Sequence, residues 1–180
     1  MSQPELSLSC LELELRDPYY PDLIEVLDYW QGKRGRRFAP SRADIEPLDL
    51  IRVLPRFMLA DVLSDPLGFR YRLSGTGISD VHGEELTGLA PLDLKPVEYG
   101  RLIDRHYRQC VAERRPLLHL IILDLAHRSR AYARLLLPLS NDGEQVNMLM
   151  AVDSANQHAR ELREFFDAQT GRSSSCHGAR

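Results

Sequence analysis

The sequence is poor in cysteine and lysine and lacks a long uninterrupted hydrophobic run. Among 180 residues there are two lysines, Lys33 and Lys95, and the three cysteines are Cys10, Cys110 and Cys176. Because the cysteines are few, odd in number and far apart, they predict neither a disulfide framework nor a zinc site, and they favour a reducing, cytoplasmic location. The longest apolar run, 117–125, is interrupted by His119 and Asp124 and is too short to span a bilayer.

Neither an excess of charge nor a catalytic signature is present. The formal net charge is −3 and the pI is about 6.1, so the chain as a whole has no electrostatic attraction to nucleic acid or to an anionic membrane. Residues 1–15 contain no basic segment, which excludes a secretory signal. The sequence contains no Gly-x-Ser-x-Gly elbow, no His-Glu-x-x-His and no cluster of metal ligands, so we expect no enzyme activity and no metal.

The length and the distribution of turn residues predict one domain with additions at both ends. Residues 1–16 form an N-terminal extension with partial apolar alternation, typical of an edge strand or of a tail that orders on a partner. Residues 17–153 form the domain, including a helical cap. A C-terminal helix is predicted at 154–170 and a disordered Ser/Gly-rich tail at 171–180.

Hydrophobic periodicity predicts two prominent helices and five strands. The first helix follows Pro21 and carries Leu23, Leu27 and Trp30 on one face, while the second covers 97–115. One stripe of the second helix contains Tyr99, Leu102, Ile103, His106 and Cys110. The predicted strands are 57–63, 69–73, 117–125, 130–139 and 146–152.

This order of elements, two strands, a helical crossover and three strands, resembles the PAS domain. Local segments over residues 17–153 are also similar to a bacterial family of small PAS-like proteins, namely YWQG (29–32), PSRADI (40–45), LP (54–55), FRYRLSGT (69–76), LTG (86–88) and LLLPLS (135–140). The resemblance implies an α+β fold: a five-stranded antiparallel sheet with a helical crossover on one face and flanking N- and C-terminal helices. It also implies a sensory or regulatory role through a ligand, a cofactor or dimerisation.

In a PAS-like fold the long helix lies over the inner face of the sheet, where a ligand would bind. The pocket candidates are therefore Tyr71, Thr76, Tyr99, Leu102, Ile103, His106 and Cys110. His106 resembles in outline the axial ligand of haem-binding PAS domains, since neutral imidazole ligates iron; the alternative is a hydrogen-bonded histidine at the pocket edge. Cys110 lacks the surrounding motif of a flavin-reactive cysteine and is expected to be a small buried hydrophobe.

The strands at 117–125 and 130–139 are apolar on both alternating sets, so both faces of the sheet need a cover. The long helix covers one face. The other needs the N-terminal helix, the C-terminal helix or a second protomer. Our hypothesis is a homodimer in which interface residues come from the first helix and from the outer sheet face: Leu23, Leu27, Trp30, Tyr132 and Leu136.

Several functions remain open. The leading hypothesis is a PAS-like module that binds a small ligand or a protein partner, and the first alternative is a ligand-free dimerisation adaptor. A small enzyme would use the loop around His82 and Glu84, and a nucleic-acid regulator would use the basic segment 33–42.

Overall fold

The computed structural model describes residues 6–125 and 128–155, which contain three helices and six strands. The helices are α1 (Pro21–Arg34), α2 (Thr76–His82) and α3 (Val97–Glu113). The strands are β1 (Leu6–Leu13), β2 (Phe57–Ser64), β3 (Leu67–Ser74), β4 (Leu117–Leu125), β5 (Arg128–Leu139) and β6 (Met148–Asp153). Short 3-10 helices lie at Arg42–Asp44, Pro47–Leu50, Leu54–Arg56 and Pro91–Asp93. The predicted C-terminal helix and tail lie outside the described residues, apart from Ser154 and Ala155.

All strands form one antiparallel sheet in the order β1-β4-β5-β6-β2-β3. The hairpin β2-β3 and the meander β4-β5-β6 are joined side by side where β2 pairs with β6, and α2 and α3 form the crossover between them. The α+β class and the antiparallel sheet are confirmed. The expected number of five strands is corrected to six, because the N-terminal extension contributes β1, which pairs with β4 from Leu6↔Leu125 to Leu13↔Leu118.

The inner face of the sheet packs against α2 and α3. The apolar stripe of α3 reaches the sheet because residues three and four apart lie on one side of a helix. Its buried residues contact inward side chains of the strands, including Tyr71, Ile121, Leu136 and Leu149. Helix α3 also lies close to the 3-10 turn Pro91–Asp93, because a Cβ atom at Gly100 would lie 2.6 Å from the carbonyl oxygen of Pro91.

The outer face packs against α1, which belongs to the same chain. Leu23, Leu27 and Trp30 are at most 2% exposed and join outward residues such as Leu135 and Leu137 in a second core. The indole N–H of Trp30 donates a hydrogen bond to the carbonyl oxygen of Pro138 at 2.9 Å, which satisfies the polar end of a buried aromatic side chain. Each such large apolar side chain contributes roughly 1.5–3 kcal/mol of hydrophobic stabilisation.

This arrangement corrects the predicted positions of the interface candidates. The three α1 residues cover their own sheet, and Tyr132 and Leu136 lie on the inner face, 5% and 0% exposed, against the α3 layer. None of the five is an exposed residue of the folded chain. Within the part of the chain that the structure describes, no helix is long and apolar enough to cross a membrane.

Candidate functional site

A charged pair lies on the inner face of the sheet, beneath α2 and α3. Alternation along β5 directs Arg134 inward with Tyr132 and Leu136, while Ala133 and Leu135 point outward. Arg134 is 1% exposed and stands opposite Asp153 of β6 in the strand register. Its Nε and Nη2 donate to the two carboxylate oxygens of Asp153 at 2.6 and 2.9 Å. Burial alone would lower the pKa of Arg134, but the adjacent carboxylate holds that pKa well above its usual value, so the guanidinium is charged.

Four tyrosines surround this pair: Tyr71 on β3, Tyr99 and Tyr107 on α3, and Tyr132 on β5. All are at most 5% exposed. The hydroxyls of Tyr99 and Tyr132 are 2.5 Å apart, and Nη2 of Arg134 donates to the Tyr99 hydroxyl at 3.5 Å. Burial raises the pKa of all four, that of Tyr107 to about 12. The phenols are therefore neutral near pH 7 and can act as hydrogen-bond donors as well as acceptors.

Three buried polar atoms of this cluster make no hydrogen bond of normal geometry among the described residues. They are Nη1 of Arg134 and the hydroxyl oxygens of Tyr71 and Tyr107. The rings of the two tyrosines meet edge to face, with centroids 6.2 Å apart, and their hydroxyls lie close enough to interact weakly with each other. The positive charge of Arg134 acts on both phenols. A buried polar group without a partner costs about 1–3 kcal/mol, so three in one layer call for a specific explanation.

The structure places six of the seven predicted pocket residues in the inner layer. Tyr71 and Tyr99 belong to the arginine–tyrosine cluster, and Leu102, Ile103, His106 and Cys110 are buried further along α3. Thr76 is the exception: it is exposed and is the first residue of α2, following the N-cap residue Gly75. Burial raises the pKa of Cys110 to about 12, and its thiol donates to the carbonyl oxygen of Arg115, consistent with an unreactive side chain.

The ring of His106 is stacked on the ring of His119, which belongs to β4. The two rings are parallel, with centroids 3.8 Å apart, and both Nδ1 atoms are buried and have no hydrogen-bond partner in the described part of the chain. Burial lowers the pKa of His106 to about 3 and that of His119 below its usual value, so both are neutral at pH 7. The pair lines an open groove of about 420 Å³ beside β1. Among the described residues no group of three or more histidine, cysteine or acidic side chains is arranged to hold a metal ion.

The loop suggested for an enzyme has its histidine and its acids in different environments. The ring of His82 contacts the ring of Tyr99, with centroids 5.7 Å apart, and burial lowers the pKa of His82 to about 3. Glu84 is exposed. Glu85 accepts hydrogen bonds from Ser74 and Thr87, which lower its pKa to about 2 and fix the loop.

The basic segment 33–42 makes local contacts. Nζ of Lys33 lies 3.6 Å from Oδ2 of Asp49, and Nη1 of Arg37 lies 2.9 Å from Oδ2 of Asp44. Arg42 donates to the carbonyl oxygen of Ile45, and the guanidinium of Arg34 lies over the Trp30 ring. Four of the five basic side chains of this segment therefore make contacts within the chain.

Sequence reasoning missed Arg134, Tyr107 and Asp153 as site residues. The available signal was Arg134, an arginine flanked by the apolar residues 131–133 and 135–139, on the same alternating face as Tyr132. A charged residue at a core position of a strand indicates either a buried ion pair or a binding site.

The chain is similar to known proteins in sequence pattern and in structure. A family model described as PAS domain matches residues 20–152. The PAS domain of Bordetella pertussis BvgS has a TM-score of 0.46 and 17% identity, covering 69% of this chain and 98% of that chain. An RNA-binding light-oxygen-voltage receptor has a TM-score of 0.49 and 13% identity, covering 93% of this chain and 43% of that chain. A search of curated proteins finds no significant match.

Proposed function

Because the chain belongs to the PAS domain family, we propose that it is a sensory module that binds a small molecule at the arginine–tyrosine cluster beneath α3. Its regulatory output passes through contacts with a second copy or with a partner protein. Signal transmission is a population shift: the ligand stabilises one arrangement of the inner layer over another.

The observation that carries this proposal is a set of three buried atoms that make no well-formed hydrogen bond within 6–125 and 128–155: Nη1 of Arg134 and the hydroxyls of Tyr71 and Tyr107, which interact weakly with each other. They come from three separate elements, β5, β3 and α3, and each would gain a hydrogen bond from one small polar molecule. A fully satisfied buried polar network rigidifies a core, whereas a partly satisfied one destabilises it. Ligand binding would therefore couple β3, β5 and α3.

The charges of the cluster restrict the ligand. Asp153 neutralises Arg134, and the phenols are neutral, so the cluster has no net charge to offer an ion. The remaining guanidinium nitrogen only donates, while the phenols donate or accept. A small uncharged molecule with an acceptor oxygen, such as a carbonyl or amide group, fits this pattern.

The test removes two of the unpartnered hydroxyls with the double variant Tyr71→Phe/Tyr107→Phe. Native mass spectrometry of the freshly purified wild type should show a mass above that of the chain, and the double variant should lose it. Tyr132→Phe, which removes a hydroxyl already bonded to Tyr99, is the matched control and should retain part of the bound ligand.

Thermal unfolding separates the ligand-free adaptor from the sensor. If the cluster binds nothing, removing two unsatisfied hydroxyls is neutral or stabilising, because replacing buried unpaired groups by apolar ones relieves their desolvation cost. No retained mass in the wild type, together with a raised melting temperature of the double variant, would refute ligand binding and favour the adaptor.

A further inference from the structure

The outer side of β1, which we call the β1 edge, is the side of Leu6–Leu13 that faces away from β4. Strand β1 pairs with β4 alone, and no other residue in 6–125 or 128–155 forms a backbone hydrogen bond to it. An edge strand presents a row of backbone N–H and C=O groups directed away from the sheet, which is a template for pairing with another strand.

The opposite edge of the sheet is protected, which makes the β1 edge distinctive. At β3 the N–H of Tyr71 donates to the carbonyl oxygen of Leu89 at 2.8 Å, and the N–H of Gly88 donates to that of Tyr71 at 2.7 Å. Exposed Arg70 and Arg72 add charge on the same strand. Loop pairing and arginines are the usual means by which proteins block edge-to-edge association. Among residues 6–125 and 128–155, one edge of the sheet is therefore blocked and the other is open.

The composition of β1 contains few of these protective features. Its sequence, LSLSCLEL, has no lysine, arginine or proline. Its one charge is on Glu12, whose carboxylate already accepts hydrogen bonds from Arg115 at 2.8 Å and Gln109 at 2.9 Å. Leu11 is 56% exposed, and Ser7 and Ser9 are also exposed. The single charge of this edge is paired within the chain, and it would repel a second strand only where two acids face each other.

We propose that the β1 edge pairs in antiparallel fashion with the β1 edge of a second copy of this chain, so that the two sheets become continuous. A two-fold axis near Cys10, perpendicular to the sheet, keeps equivalent faces on one side and places Glu12 across from the partner's Leu8. The acids of the two strands then do not face each other, which like charges directly opposite would oppose. Because each copy has one open edge, the assembly closes as a dimer and does not grow into a fibre.

This surface differs from the dimer surface expected from the sequence. The residues of that expected surface are buried within one chain. The β1 edge lies in the N-terminal extension, before the segment 20–152 that matches the PAS family model. The pairing does not depend on a ligand at the arginine–tyrosine cluster, so it can succeed or fail independently of the proposed sensory function.

The experiment is sedimentation velocity of the full chain between about 1 and 100 µM, a range that reveals dissociation constants of that order. The test variant is Ser9→Lys/Leu11→Lys, which puts like charges near each other across the two-fold axis at exposed positions. The matched control is Leu48→Lys/Leu92→Lys, at leucines that are 72% and 51% exposed and distant in sequence from β1. Wild type and control should form dimers with similar dissociation constants, and the test variant should dissociate about tenfold more readily or more.

Hydrogen exchange gives a second readout. In the wild type, backbone amides of β1 should exchange more slowly as protein concentration rises, whereas those of β3 should not respond. A monomer at 100 µM, an assembly larger than two, or a dimer equally stable in the test variant would each overturn the proposal. Circular dichroism of the lysine variants confirms that any dissociation reflects lost pairing and not unfolding.

Discussion

Replacing Asp153 with asparagine would leave the guanidinium of Arg134 buried without the carboxylate that it pairs with. The side chain of Arg134 is 2% exposed and that of Asp153 14%, so solvent can compensate for little of the loss. Removing one partner of a buried ion pair costs about 3–5 kcal/mol, because an uncompensated charge remains in a medium of low polarity. The asparagine amide oxygen still accepts one hydrogen bond, so we expect a loss of about 3 kcal/mol, the lower end of that range.

The assay is urea unfolding followed by circular dichroism, with free energies obtained by linear extrapolation. The chain contains a matched control in the cross-strand pair of Arg72 and Asp61, whose side chains are 59% and 26% exposed. Asp61→Asn should cost less than about 1 kcal/mol, since exposed ion pairs contribute little. The variant Arg134→Met/Asp153→Asn should be more stable than the sum of its single substitutions, because it removes the charge that Asp153→Asn leaves unpaired. If Asp153→Asn costs no more than Asp61→Asn, the account of the inner layer is refuted.

Two further predictions concern α3. The free energy of unfolding should decrease as the pH falls from about 6.5 towards 3, because His106 is protonated near pH 6.5 in the unfolded chain and near pH 3 in the folded chain. His106 contributes up to about 1.4 kcal/mol per pH unit to this slope. The slope should therefore be smaller in His106→Phe, and equal slopes in the two proteins would contradict the prediction. In urea unfolding, Gly100→Ala should lower the free energy of unfolding by about 1–3 kcal/mol, because the added methyl group clashes with the carbonyl group of Pro91. The control Gly32→Ala should be neutral or stabilising, because no atom lies within 4 Å of its added methyl group.

Much of the fold was predictable because most of its elements have strong periodicity. The amphipathic stripe of α3 and the alternation of β3 are local patterns, and the structure has both elements within two residues of the predicted bounds. The sequence pattern left open whether the N-terminal extension is an edge strand or a tail. Its alternation slips at Cys10, and Leu8 and Cys10 face inward while Leu11 and Leu13 lie on the other face beside β4 residues. Only the long-range pairing with β4 decides that this segment is a strand.

The candidate site was only half predictable for a related reason. Tyr71 and Tyr99 could be assigned to the inner layer from the face of their strand or helix. The role of Arg134 depends on Asp153, which is 19 residues away in sequence and becomes its neighbour through the register of β5 and β6. A hydrophobic pattern shows that a position is inward, but it does not show which charge another strand places beside it.

The cover of the outer face shows the same limit from another direction. Apolar residues on both sets of β4 and β5 correctly required a cover on both faces, and either α1 or a second copy would bury the same kind of surface. Residues 35–56, which include three 3-10 turns, connect α1 to β2 and so tether α1 to its own sheet. A tethered helix has a high effective concentration at the outer face, so it binds there in preference to a free second copy. Once the outer face is covered in this way, the open feature is a row of backbone groups along β1. Every sequence has the same backbone groups, so the side-chain pattern cannot show directly that an edge is open. The pattern indicates an open edge only indirectly, by a scarcity of the charged residues and prolines that protect an edge.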